Sequence, residues 1–207
     1  MLYLASQSPR RQSILHDLQV NFQLLLPDSS ENTELLEIVL PQEASIDYVQ
    51  RVTLLKLKAA VERLNRQVLP WAPILCADTT VAFTQDSQEI ILGKPNDADD
   101  ALSMLELLNN HCHVVHTAIA MQIKQNQAPE YVISSSKVYF ANNSKQKLKS
   151  YVATNEPLGK AGAYAIQGYG SCLIEKIEGS HSSIMGLPIF ETSRLLEKSG
   201  IGFILCP

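Results

Sequence analysis

Hydrophobic positions along the chain follow two periods, and where the period changes they mark out alternating strands and helices. An apolar stretch at 2–4 runs directly into a polar turn. It is followed by a helix from Pro9 in which Ile14, Leu15 and Leu18 recur at the spacing of a buried stripe. A strand is expected over 20–26, stopped by Pro27, and then a polar loop of Asp28, Ser29, Ser30 and Glu31. Residues 32–42 carry no period and predict an irregular excursion. A long helix follows over about 43–65, with Val49, Val52, Ala59 and Ala60 on one side and Lys56 on that same side.

The second half repeats the alternation. The spacing predicts a strand over 74–83, a hairpin through 85–88 into a strand over 89–92, and a helix capped by Asn96 or Asp97 carrying Ala101, Leu105 and Leu108. Strands about 113–124 and 130–141, joined by a polar turn, predict an antiparallel pair, and Asn143 or Ser144 caps a helix carrying Leu148, Tyr151 and Val152. Four glycines crowd into 159–170. A strand over 172–177, a loop over 179–186, a helix over 187–198 and a last strand over 201–205 complete the reading.

Composition narrows the class. At 207 residues and 45% hydrophobic, the chain can bury a sizeable core as one domain over 1–207. A formal net charge of -4 argues against general nucleic-acid binding, which needs a basic footprint. Cys76, Cys112, Cys172 and Cys206 are widely spread without a C-x-x-C pair, which favours buried reduced thiols over disulfides or zinc. No apolar stretch approaches membrane-spanning length and no leader pattern precedes the opening strand, so a cytoplasmic protein with no membrane partner is expected.

Candidate chemistry sits where strands end. Ser8 suits a helix N-cap and Pro9 the first helical position, so free backbone N–H groups and the helix dipole make an anion site beside Ser6, Arg10 and Arg11. The two guanidinium forks match phosphate or carboxylate oxygens, although a capped surface helix with solvated arginines has the same sequence. Asp78 interrupts an apolar strand, and a buried carboxylate needs partners: backbone N–H groups, a metal, or a role as general base. Lys56 either snorkels to water or turns inward to an anion. Lys94, in Gly93-Lys94-Pro95, ends a strand within reach of the same ligand. His113 and His116, three apart on a strand, leave opposite faces and read as strand-edge histidines rather than zinc ligands. In the glycine-rich run, Tyr164 and Tyr169 offer stacking faces and Gln167 an amide suited to a base edge.

Taken together these stretches resemble the Maf family of nucleoside triphosphate pyrophosphatases over nearly the whole chain. The likeness is carried by Leu4-Ala5-Ser6-Gln7-Ser8-Pro9-Arg10-Arg11, by Arg51 and Lys56, by Ala77-Asp78-Thr79 and by Gly93-Lys94-Pro95. Glu156-Pro157, Lys160 to Tyr164 and Ile166-Gln167-Gly168 are similar to the branch acting on dTTP and UTP. The resemblance implies an α/β fold: an elongated mixed sheet flanked by helices in two lobes with a central cleft, related to inosine triphosphate pyrophosphatases. It also implies hydrolysis between the α and β phosphates with Mg²⁺ or Mn²⁺, and a homodimer as a common assembly. Carried over by position, Asp78 matches the catalytic acceptor and Arg11, Thr79 and Gln167 the specificity positions. Ser6, Arg10, Lys56 and Lys94 hold phosphates, and Asp78 with Glu31 serves the metal.

There are departures from the family pattern. Leu55 replaces an acidic residue before Lys56, Thr80 an aliphatic one, Asn109-Asn110 a serine–glycine pair, and 32–40 is longer than usual. Two rival readings follow: the same cleavage on 7-methyl-GTP or another modified nucleotide, and a nucleotide-binding regulator of septum formation. A panel of triphosphates separates the two substrate readings, and tight nucleotide binding without pyrophosphate release favours the regulator.

Overall fold

The computed structural model describes residues 1–28 and 31–206; Ser29 and Ser30 of the polar loop lie outside the described residues. Helices flank a seven-stranded mixed sheet of order β2-β1-β3-β5-β6-β7, with β4 paired to β3. The strands are β1 (Leu2–Leu4), β2 (Phe22–Leu24), β3 (Ile74–Gln85), β4 (Gln88–Leu92), β5 (Cys112–Gln122), β6 (Glu130–Phe140) and β7 (Ile174–Glu178). The helices are α1 (Pro9–Asp17), α2 (Ser45–Arg66), α3 (Ala98–Leu108), α4 (Lys145–Val152), α5 (His181–Met185) and α6 (Ile189–Ser199). The chain forms two compact units. None of the described helices is long and apolar enough to cross a membrane.

The first unit contains Met1–Asp78, Thr117–Ser134 and Gly186–Pro207. Strand β1 pairs in parallel with β2 on one side and with Ile74 and Leu75 of β3 on the other. That position explains its unbroken apolar sequence, since a strand covered on both faces has no reason to alternate. Tyr3, Leu25, Leu57, Ala60, Leu64, Ile74, Cys76 and Ala120 share one core. Strand β2 is shorter than the apolar run over 20–26 suggests, because the strand it pairs with, β1, is three residues long and Leu24 faces solvent. The strand expected at 201–205 does not form. Phe203 and Cys206 bond each other's backbone in a tight turn, and Ile204 N–H donates to Leu18 O at 2.8 Å, so the local groups are already used.

The second unit contains Thr79–His116 and Ser135–Met185. Strands β3 and β4 pair antiparallel through a two-residue turn at Asp86 and Ser87, both with positive φ, as a twisted hairpin requires. Its core gathers Val81, Phe83, Leu105, Val115, Val138, Phe140, Leu148, Tyr164, Ile166 and Leu173. Helix α3 is capped by Asp97, whose carboxylate accepts from Asp100 N–H, and α4 by Ser144 in the same manner from Lys147 N–H. The loop expected over 179–186 contains the short helix α5. Strand β5 lies inside the strand order, so His113 and His116 are interior rather than strand-edge residues, and both are buried.

Candidate active site

Sequence around the first helix sets up a donor cluster, in a form different from the expected cap. Ser8 occupies the N-cap position, but its side chain makes no capping bond. The hydroxyl of Ser6 braces the turn before the helix, accepting from Ser8 N–H at 3.2 Å and from Arg11 Nη1 at 3.0 Å. Arg11 also donates from Nε to Gly186 O at 2.8 Å, which ties the helix start to the turn before α6. Desolvation lowers the Arg11 pKa while the carboxylates of Asp78 and Glu37 oppose that shift. An arginine with those neighbours keeps its charge.

Asp78 has the partner its burial demands. Lys56 Nζ donates to Asp78 Oδ1 at 2.6 Å and to Glu37 Oε1 at 2.6 Å, so one ammonium is held between two carboxylates. Lys56 is thus turned inward from α2, with its side chain 18% exposed. Burial disfavours the ammonium, yet Asp78 and Glu37 outweigh it and the Lys56 pKa is raised. Cys76, two residues earlier on β3, is buried and its thiol is pushed up to about 11, which makes it a packing residue. It is also the only buried cysteine of the four; Cys112, Cys172 and Cys206 are exposed thiols.

Glu37 is the residue that the sequence reading missed. It ends the 3₁₀ turn Thr33–Glu37, inside the stretch that lacks a period. Side chains of α2 hold this stretch: Tyr48 Oη donates to Glu37 O at 2.9 Å, and Arg51 Nη2 to Ile38 O at 2.9 Å. Arg51 also grips Glu43 through Nε and Nη2. Burial first, then the charges of Asp78 and Glu37, push the Tyr48 phenol up to about 12, so it stays a donor. The spacing of Tyr48 and Arg51 on one side of α2 is a signal, but nothing in the sequence says which backbone carbonyls they hold.

Glu31 is placed elsewhere. Its carboxylate accepts from Arg63 Nε at 2.8 Å and Nη2 at 2.5 Å, and from Arg66 Nη2 at 2.6 Å. Arg63 is 3% exposed and donates its third bond to Leu25 O at 2.7 Å. Glu31 therefore neutralises a buried arginine, and the hydrogen bonds from Arg63 hold its pKa low.

The second unit carries Thr79, Lys94 and Gln167. Gly162 N–H donates to Gly93 O at 3.0 Å, which fastens the glycine-rich run to the turn bearing Lys94. Gly162 has φ +66, and a Cβ there would lie 2.9 Å from Val81 Cγ2, so this close approach admits only glycine. Gln167 is exposed at the far end of the run. Arg10, Ser6, Arg11, Lys56 and Asp78 all belong to the first unit.

A divalent cation fits the donors in chemical character. Two carboxylates, Asp78 and Glu37, already converge on one cationic atom, and hard oxygen donors are what Mg²⁺ and Mn²⁺ take. Among the described residues no group of three or more His, Cys, Asp or Glu is placed to hold a metal. One or two carboxylates plus phosphate oxygens and water is the usual Mg²⁺ environment in phosphoryl-transfer sites.

Comparison with known proteins places the chain. The family model "Maf-like protein" matches residues 1–199. A dTTP/UTP pyrophosphatase of Albidiferax ferrireducens is 51% identical over 199 residues, covering 96% of each chain. One of Burkholderia orbicola is 50% identical over 203 residues, covering 98% of this chain and 95% of that one. Among solved structures, a nucleoside-triphosphatase / dITP/XTP pyrophosphatase from Mycobacterium abscessus is 13% identical, with TM-score 0.44 over 96% of this chain and 95% of that one. That score is too low for an argument about function. Matched by the family model over residues 1–199 and about half identical to these relatives along nearly its full length, the chain belongs to the Maf family.

Proposed function

We propose that this protein is a cytoplasmic, metal-dependent pyrophosphatase that hydrolyses dTTP and UTP, and their modified forms, to the nucleoside monophosphate and pyrophosphate. The observation that carries the reading is the Asp78–Lys56–Glu37 group beside Arg11 and Ser6, in a chain about half identical to enzymes of that name.

In this reading water attacks the α-phosphorus, the bond to the α–β bridging oxygen breaks, and pyrophosphate leaves. Asp78 accepts the proton of the attacking water. Lys56 donates to that carboxylate and holds it in place before the substrate arrives. Ser6, Arg10, Lys56 and Lys94 grip the phosphates, because cleavage of this kind depends on positioning and on neutralising oxygen charge. Arg11, Thr79 and Gln167 select the nucleotide. Asp78 and Glu37 would hold Mg²⁺ or Mn²⁺, which when bound supplies charge neutralisation at the phosphate oxygens.

The test is pyrophosphate against orthophosphate release from dTTP, UTP, CTP, ATP, GTP and 7-methyl-GTP, with EDTA and with Mg²⁺ or Mn²⁺ restored. Pyrophosphate from dTTP and UTP, lost with EDTA and regained with the ion, is expected. Preference for a purine defeats the role given to Gln167, and tight binding without release favours a sensor. Activity that survives EDTA removes the metal from the reading. Fractionation and light scattering test the cytoplasmic location and the homodimer.

A further inference from the structure

Glu156 is a carboxylate that the proposed chemistry leaves without a task, yet both of its oxygens are used by backbone. Oε1 accepts from Tyr169 N–H at 3.1 Å and Oε2 from Gly170 N–H at 2.9 Å. The backbone at Gly168 passes directly against it: a Cβ there would fall 1.8 Å from Oε1. Gly168 has φ -110 and ψ -153, so the glycine is required by this close approach rather than by its torsions.

The same run is pinned on its other side. Tyr151 Oη accepts from Ala165 N–H at 3.1 Å, and Tyr164 Oη pairs with His113 Nε2 at 2.8 Å in an aromatic cluster with Phe140. Residues 164, 165, 169 and 170 are therefore each fixed by a hydrogen bond, and the exposed Gln167 stands between the two anchored ends. A carboxylate suits this task better than an amide, since each of its oxygens can accept an N–H while an amide nitrogen cannot.

We propose that Glu156 is a positioning residue for base selection, setting the turn that aims the Gln167 carboxamide at the nucleobase. The inference rests on the reading of Gln167 as the base-selecting residue. Uracil and thymine present an N–H flanked by two carbonyl oxygens, which one carboxamide can meet with its own acceptor and donor. Cytosine presents the reverse pattern, an unprotonated nitrogen beside an amino group, so an amide that the turn holds in one orientation favours UTP over CTP.

The experiment compares kcat/KM for UTP and CTP in the wild type, E156Q, G168A and Q167A. E156Q removes one acceptor at constant size, and G168A drives a methyl group into the place of Oε1. Both are expected to lower the UTP-to-CTP ratio by about tenfold, chiefly through KM for UTP, as Q167A does. If E156Q and G168A are folded by circular dichroism and keep the wild-type ratio, or lose both substrates in equal proportion, the proposal is overturned. It is equally overturned if neither variant folds, for Glu156 then supports the fold alone. A wild type without UTP preference, unaltered by Q167A, instead defeats the reading of Gln167 on which the inference stands.

Discussion

The ammonium of Lys56 lies 2.6 Å from Oδ1 of Asp78, joining a residue of α2 to the carboxylate that interrupts β3. That pair converts an unfavourable burial into a usable one: the carboxylate has a partner, and the lysine, its pKa raised by Asp78 and Glu37, is held charged where an anion can be met. Replacing Asp78 by Asn is therefore expected to abolish pyrophosphate release with the melting temperature little changed. Lys56→Met is expected to cost at least about 100-fold in kcat/KM, since it strips the charge that faces both carboxylates and the phosphates. Full turnover by D78N ends the proposed role of Asp78.

Glu31 and Glu37, at the two ends of the 31–37 stretch, have opposite duties. Glu37→Gln is expected to reduce turnover by about tenfold or more at nearly unchanged stability, because it touches Lys56 near the reacting groups. Glu31→Ala leaves the buried Arg63 without its carboxylate and is expected to cost about 3 kcal/mol in urea unfolding, with kcat of the folded fraction retained. The reverse pattern returns the metal role to Glu31.

Arg11 uses Nε on Gly186 O and Nη1 on Ser6 Oγ at once. Lysine keeps the charge but cannot span both acceptors, so R11K is expected to raise KM for dTTP and UTP by about tenfold or more while the protein stays folded. An unchanged KM shows that charge alone suffices.

His113 makes stability depend on pH. Burial pushes its pKa from 6.5 down to about 3. Between those values the unfolded chain binds a proton that the folded chain refuses, so stability rises with pH across the window. This contribution is complete above about pH 6.5 and erodes as pH falls, by up to about 1.4 kcal/mol per pH unit. Urea midpoints at about pH 5 and about pH 7.5 should differ less in H113Q than in the wild type. An equal difference in both locates the acid sensitivity elsewhere.

Local sequence was legible because short-range physics decides it. Helix α2 forms where Val49, Val52 and Ala60 repeat, and all three are buried; the caps of α3 and α4 are Asp97 and Ser144. Lys56, Asp78, Arg11 and Ser6 stood out for chemical reasons, since charges or donors beside apolar runs need a cause. What stayed illegible depended on partners far along the chain. Arg11, for one, meets Gly186 O, 175 positions away. The apolar alternation at 201–205 is that of a strand, yet a tight turn claims its backbone groups.

By itself, the sequence determined which segments bury an apolar face and which polar residues are too costly to leave unpartnered, because periodicity and desolvation act residue by residue. Which carboxylate meets which cation was decided only by tertiary structure. Glu31 and Glu37 are chemically alike, and the difference arises from Arg63 drawing one aside while Tyr48 and Arg51 hold the other against Lys56.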